Sequence, residues 1–128
     1  MDEQPTPKPV IWIASTKHDL KSLPDEIEYR FGYALWIAQT GRTHPHAKAL
    51  KGFGDASIIE IIEDWQGNAY RAVYTVRFED AVYVLHVFQK KSRRGAETPK
   101  ADIDLIKKRL RDAKEIHEAL RKQEKSDG

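Results

Sequence analysis

Four cations, Lys90, Lys91, Arg93 and Arg94, arrive almost together after the apolar run of residues 84–88. Like charges repel, so crowding them at one strand end costs stability unless an anion belongs there. Arginine suits an oxyanion because its planar fork pairs with two oxygens and never loses its charge. Lysine in a crowded positive site can have a lowered pKa, which lets it act as acid or base. A fifth cation, Arg71, lies inside a strand-like stretch in step with Val73, Thr75 and Arg77. It fits two roles equally well: a clamp on a phosphate, or a surface arginine paired with Glu60 or Glu63 of a neighbouring strand.

Other side chains could join this chemistry. His86 titrates near neutral pH and could move a proton. Its alternation with Val84 and Phe88 also fits a hydrogen-bonded core histidine. Lys48 and Lys51, in a glycine-rich stretch, could contact a phosphate backbone, which positions a nucleic acid without reading its sequence. His44-Pro45-His46 invites a metal, but two histidines with no acid or thiol close in sequence are a weak ligand set. Trp12 and Trp36 fall on expected core elements, which leaves Trp65 as the tryptophan open to stack a base.

The elements that must hold these residues are legible in outline. Residues 10–13 read as a first strand, and 16–23 as one or two helical turns. Pro24 fits the first turn of a helix, with Asp25 and Glu26 at the positive end of its dipole. Ile27, Phe31, Ala34, Leu35 and Ala38 recur at helical spacing over 24–39, and Gly41 closes the helix. Residues 41–56 read as a loop. Residues 58–65, 70–78 and 81–88 form three consecutive strands with short turns, an antiparallel meander. The third is almost wholly apolar, so it should be central and covered on both faces. Ile103, Ile106, Leu110, Ala113, His117 and Leu120 mark a last helix beginning near Pro99. The expected fold is α+β: an N-terminal strand and helices packed on a small antiparallel sheet, plus a C-terminal helix. A disordered tail (1–8), a single domain (9–122) and a frayed tail (123–128) complete the organisation.

Composition narrows the class. The chain has 128 residues, no cysteine, 33% charged residues and a net charge of +2. Disulfides and thiolate metal sites are excluded. Residues 86–100 carry five Lys or Arg and one acid, Glu97, which suggests a local anion pocket in a nearly neutral chain. The acidic, proline-rich start is the opposite of a signal peptide. No apolar run approaches the roughly 18 residues of a membrane helix. A cytoplasmic protein is expected.

An ordered series of short motifs carries a resemblance. Lys48-Ala-Leu-Lys51-Gly52, Ile-Ile-Glu60-Ile, Tyr70-Arg71-Ala-Val-Tyr74, Leu85-His86-Val-Phe88-Gln-Lys90-Lys91-Ser92 and Thr98-Pro99 with a closing helix resemble the RelE/HigB-like toxins of type II toxin–antitoxin systems. The phage-derived HigB-type branch is the most similar, over roughly residues 9–120. Two departures stand out: Val87 replaces a frequent glycine, and the loop before Thr98 is slightly longer. The resemblance implies an mRNA interferase, a metal-independent endoribonuclease acting on ribosome-bound message without a cofactor. It implies Arg71 as transition-state stabiliser, with Lys90 and Lys91 as further catalytic residues; His86 joins them on its own titration near neutral pH. With an RNA substrate, the residue readings above would have Lys48, Lys51, Arg93 and Arg94 hold it. The resemblance also implies a helix-turn-helix antitoxin as partner, operator DNA being bound only through that antitoxin. A ParE-like toxin acting on gyrase and a non-catalytic antitoxin-binding module are the alternatives.

Overall fold

The structure is a computed structural model that describes residues 6–90 and 98–127. Its centre is a five-stranded sheet in the order β1-β5-β4-β3-β2, built from β1 (Val10–Trp12), β2 (Ala47–Ala49), β3 (Ile58–Trp65), β4 (Asn68–Thr75) and β5 (Val82–Lys90). Strands β3, β4 and β5 form the expected antiparallel meander. The β3–β4 turn is Gln66-Gly67, with φ of 50° and 79°. Positive φ at both central residues matches the right-handed twist of the flanking strands, and glycine takes that conformation without steric cost.

The sheet is wider and more mixed than expected. β1 pairs in parallel with β5, Ile11 opposite Tyr83. β2, inside the stretch read as loop, pairs antiparallel with β3, Lys48 opposite Glu60. Its three residues, Ala-Lys-Ala, carry no β-branched or aromatic signature; pairing with β3 makes the strand. β5 lies between β1 and β4 and is buried through most of its length, as its apolar sequence requires.

Helices cover both faces. α1 (Thr16–Lys21) and α2 (Asp25–Gln39) pack on one face with Tyr70, Ala72, Tyr74, Val82, Val84 and Val87. Ile27, Phe31, Ala34, Leu35 and Ala38 all point inward, so the sequence spacing identified the correct stripe. α3 (Lys100–Asp127) packs on the other face, bringing Ile106, Leu110 and Ala113 onto Ile58, Val73, Tyr83 and Leu85. Its C-terminal part runs past the sheet, with Leu120 42% exposed. The helix continues through 123–127, where a frayed tail was expected. At the other end Lys8 is tied down: its N–H donates to Gln39 O at 2.9 Å and Gln39 Nε2 donates to Lys8 O at 2.7 Å. Lys8, counted in the expected disordered tail, is thus held at the end of α2, and residues 1–5 of that tail lie outside the described residues.

One irregularity matters for function. The β4–β5 register passes from Val73–His86 to Tyr74–Val84, leaving Leu85 as an extra residue on β5. A bulge of this kind breaks strict alternation and re-aims side chains. Leu85 and His86 consequently both contact α3 or its packing layer, while Val84 and Val87 face α2.

Candidate functional site

β3 carries one acid, Glu60, inside the apolar stretch Ile-Ile-Glu-Ile-Ile. It faces α3 and is 2% exposed, as is Arg71 on β4. A buried charge must be paired and hydrogen-bonded, because water no longer solvates it. Arg71 Nη1 donates to Glu60 Oε2 at 3.2 Å and to Thr98 Oγ1 at 2.8 Å. The Thr98 hydroxyl in turn donates to Glu60 Oε2 at 2.7 Å. Thr98, just ahead of α3, closes this triangle over the sheet. Arg71 is thus paired with Glu60, one of the two partners considered for it, but as a buried residue and not a surface one.

Glu60 and Thr98 also line a cleft of about 260 Å³, together with Lys48, Leu50, Lys51 and Ile103. Lys48 reaches it from β2 and Lys51 from the turn that follows. Both lysines assigned to backbone contacts therefore border one cavity, with Glu60 and Thr98 at its wall and Arg71 bonded behind them. Lys90, the last residue of β5, is buried and not part of a solvated loop. Strand alternation sets it on the face of Phe88, whose backbone pairs with Arg71. Lys91, Arg93 and Arg94 lie outside the described residues.

His86 has a different setting. Its Nε2–H donates to Asp102 Oδ1 at 2.8 Å, and Arg109 Nη1 donates to its Nδ1 at 3.5 Å. Its ring stacks on Phe88 at 4.2 Å. Burial lowers its pKa below the usual histidine value; the Asp102 carboxylate, by hydrogen bond and charge, and the more distant Asp19 oppose the shift, while Arg109 adds to it. The ring is engaged at both nitrogens and bridges β5 to α3, and it is not among the residues lining the cleft. The expected shared face with Val84 is overturned by the bulge.

Two participants in the triangle were not assigned to the site from sequence. Glu60 had a legible signal, a lone acid in an apolar strand. Thr98 had one only as part of the Thr-Pro motif. The tryptophans are also redistributed: Trp36, expected in the core, is 49% exposed, while Trp12 and Trp65 pack against the α2-side core.

A second cluster lies at the opposite face. Glu63 Oε1 accepts from His46 Nδ1 at 2.8 Å, and Glu63 Oε2 accepts from Arg30 Nη1 at 3.4 Å. His44 joins them, so that one ligand atom from each of His44, His46 and Glu63 lies within 4.8 Å of the others. The histidines therefore have the acidic partner that their sequence neighbourhood lacked; the sheet supplies it.

Residues 18–111 match the family model described as Phage derived protein Gp49-like (DUF891). The chain belongs to this family. It is a family of RelE/HigB-type toxins, so the chain is a toxin of the toxin–antitoxin class. No curated protein matches the sequence. Among solved structures, a chain of the RelBE2 toxin–antitoxin complex from Mycobacterium tuberculosis is similar at 21% identity and a TM-score of 0.46, covering 71% of this chain and 100% of that one. Among the described residues, no helix of this Gp49-like chain is long and apolar enough to cross a membrane.

Proposed function

We propose that this Gp49-like protein is a ribosome-dependent mRNA interferase that cleaves RNA without a metal and is neutralised by a helix-turn-helix antitoxin. The observation that carries the reading is the Arg71–Glu60–Thr98 triangle, of which Glu60 and Thr98 line a cleft bordered by Lys48 and Lys51. RNA cleavage by the ribose 2′-oxygen needs a base for the 2′ proton, an acid for the leaving 5′-oxygen and cations for the phosphorane. In this reading Glu60, at the cleft wall, takes the proton. Arg71 holds several donors on one planar group and can exchange its Glu60 and Thr98 contacts for phosphate oxygens. Lys48 and Lys51 hold the backbone on either side. Lys90 adds positive charge and, with Lys91, serves as acid. Arg93 and Arg94 extend RNA binding on sequence grounds. His86, held at both nitrogens, positions the start of α3 and with it Thr98. Operator DNA is reached only through the antitoxin, and the site of action is the cytoplasm.

A specific observation favours a rival. Arg71 is already neutralised by Glu60, which is how a purely structural ion pair looks; the basic rim would then serve antitoxin docking or another target such as gyrase. The test is induced expression in bacteria of wild type, Arg71→Lys and Glu60→Gln, with primer extension on an abundant message and melting curves of each purified protein. New 5′ ends within translated codons for wild type, and at least ten-fold fewer for folded variants, support the nuclease. Growth arrest without new 5′ ends moves the target elsewhere, and a gyrase supercoiling assay follows. Soluble protein without growth arrest leaves the binding module.

A further inference from the structure

We propose that His44, His46 and Glu63 form a binding site for a divalent transition metal, zinc by its ligand chemistry, which fastens the connection between α2 and β2 onto the sheet. The site is separate from the cleft. Glu63 and Glu60 are three apart on β3, so alternation sends them to opposite faces, Glu63 towards α2 and Glu60 towards α3.

The donors suit the ion. Two imidazoles and a carboxylate are borderline ligands that favour zinc and its neighbours over calcium or magnesium, which take oxygen shells. Ligand atoms at the usual zinc distances lie roughly 3.3 Å apart in a tetrahedron. Here the His46 nitrogen and Glu63 oxygen are 2.8 Å apart, and all three donors fall within 4.8 Å. Movements of about half an ångström to an ångström and a half bring them to that geometry, and the metal replaces the proton that His46 and Glu63 share. His44 is already turned inward: its Nδ1 accepts from the His46 amide at 3.0 Å, and its ring packs edge-on against His46 at 4.9 Å. That amide contact yields when His44 turns its lone pair to the ion.

The surroundings are those of a supported site. The Glu63 side chain is 9% exposed, and Arg30 on α2 holds its other oxygen while bonding Glu26 and the Asp64 carbonyl. Such outer contacts fix the orientation of a metal-binding carboxylate. Tyr33 meets the His44 ring edge-on at 6.0 Å. The His46 side chain is 60% exposed, which gives the ion an entry path and a water its fourth position. His46 directly precedes β2, the short edge strand that carries Lys48. An ion here would pin that strand by the residue just ahead of it, and so steady one wall of the cleft from the opposite face.

The test is zinc titration by isothermal calorimetry on the tag-free full chain, alongside His44→Ala and His46→Ala. Both histidines sit at the surface end of the cluster, so neither substitution touches the core. One zinc per chain, weakened at least ten-fold in each variant, is expected. Cobalt substitution should give the intense visible absorption of a tetrahedral ion, lost in His46→Ala. No stoichiometric binding by the wild type overturns the proposal. So does equal binding by the variants, which would place the ion on His18, His86 or His117.

Discussion

Glu60 and Glu63 stand one helical-turn's count apart in sequence yet in opposite worlds. Glu60 faces α3 and meets a guanidinium and a hydroxyl, all beneath a helix start. Glu63 faces α2 at the sheet's edge and meets an imidazole 60% open to water and an arginine 33% open. The first pair is worth little as net stabilisation, since taking both charges from water offsets their attraction; its loss is what matters. In the second setting the carboxylate is buried, but its partners reach it from the solvent side, where water screens their charge. A site that must stay poised sits in the first setting. A site that must admit an ion from solution sits in the second.

Breaking the Glu60 side should have the largest effect. Arg71→Ala takes the guanidinium from a buried carboxylate, and we expect a loss of about 3–5 kcal/mol in urea denaturation. The double variant Arg71→Leu with Glu60→Leu should recover most of it, because apolar groups of similar size replace a buried pair at little cost. A double variant as unstable as the single one would show that the pair is not what the fold depends on here. Thr98→Val sharpens the point. It removes one partner from each of Arg71 and Glu60 while keeping shape, for an expected loss of about 1–3 kcal/mol.

A pH titration probes the same face at smaller amplitude. The folded pKa of His86 lies below its unfolded value, chiefly through burial. The unfolded chain therefore binds the proton more readily, and stability rises with pH across this window. The His86 contribution is fully present above the unfolded value near 6.5 and is lost as pH falls through the folded one. His86→Gln should flatten this slope while leaving the alkaline limb unchanged. An unaltered slope would assign it to other groups.

Strong periodicity survived the passage from sequence to structure. The α2 stripe, the β3–β4 hairpin and the central place of β5 were all legible, because burial fixes which residues of an element point inward. What failed was carried by backbone pairing or by distance in the chain. β2 has no propensity signal and exists through its ladder to β3. β1 adds a parallel edge that no local pattern announces. The bulge at Leu85 shifted His86 by one face. In the site, the cationic residue types were legible, but their partners were not. Thr98 lies 27 residues from Arg71, and Glu63 lies 17 from His46. Sequence spacing is silent about contacts that a sheet makes between remote strands.

The smallest effect belongs to the Glu63 side. Arg30→Ala removes a guanidinium that bonds the exposed Glu26, the Asp64 carbonyl and the buried Glu63. The guanidinium itself is a third open to water and His46 still bonds Glu63, so the denaturation midpoint should move only modestly, and less still at high salt. The orientation of Glu63 is another matter. With its second oxygen released, the carboxylate gains rotational freedom, and zinc affinity should fall several-fold although no ligand has been removed. The contrast separates the two settings more cleanly than either number alone. On the Glu60 side a lost contact is read in stability. On the Glu63 side it should be read in binding, and a large stability loss for Arg30→Ala would mean that this edge is as deeply structural as the other face.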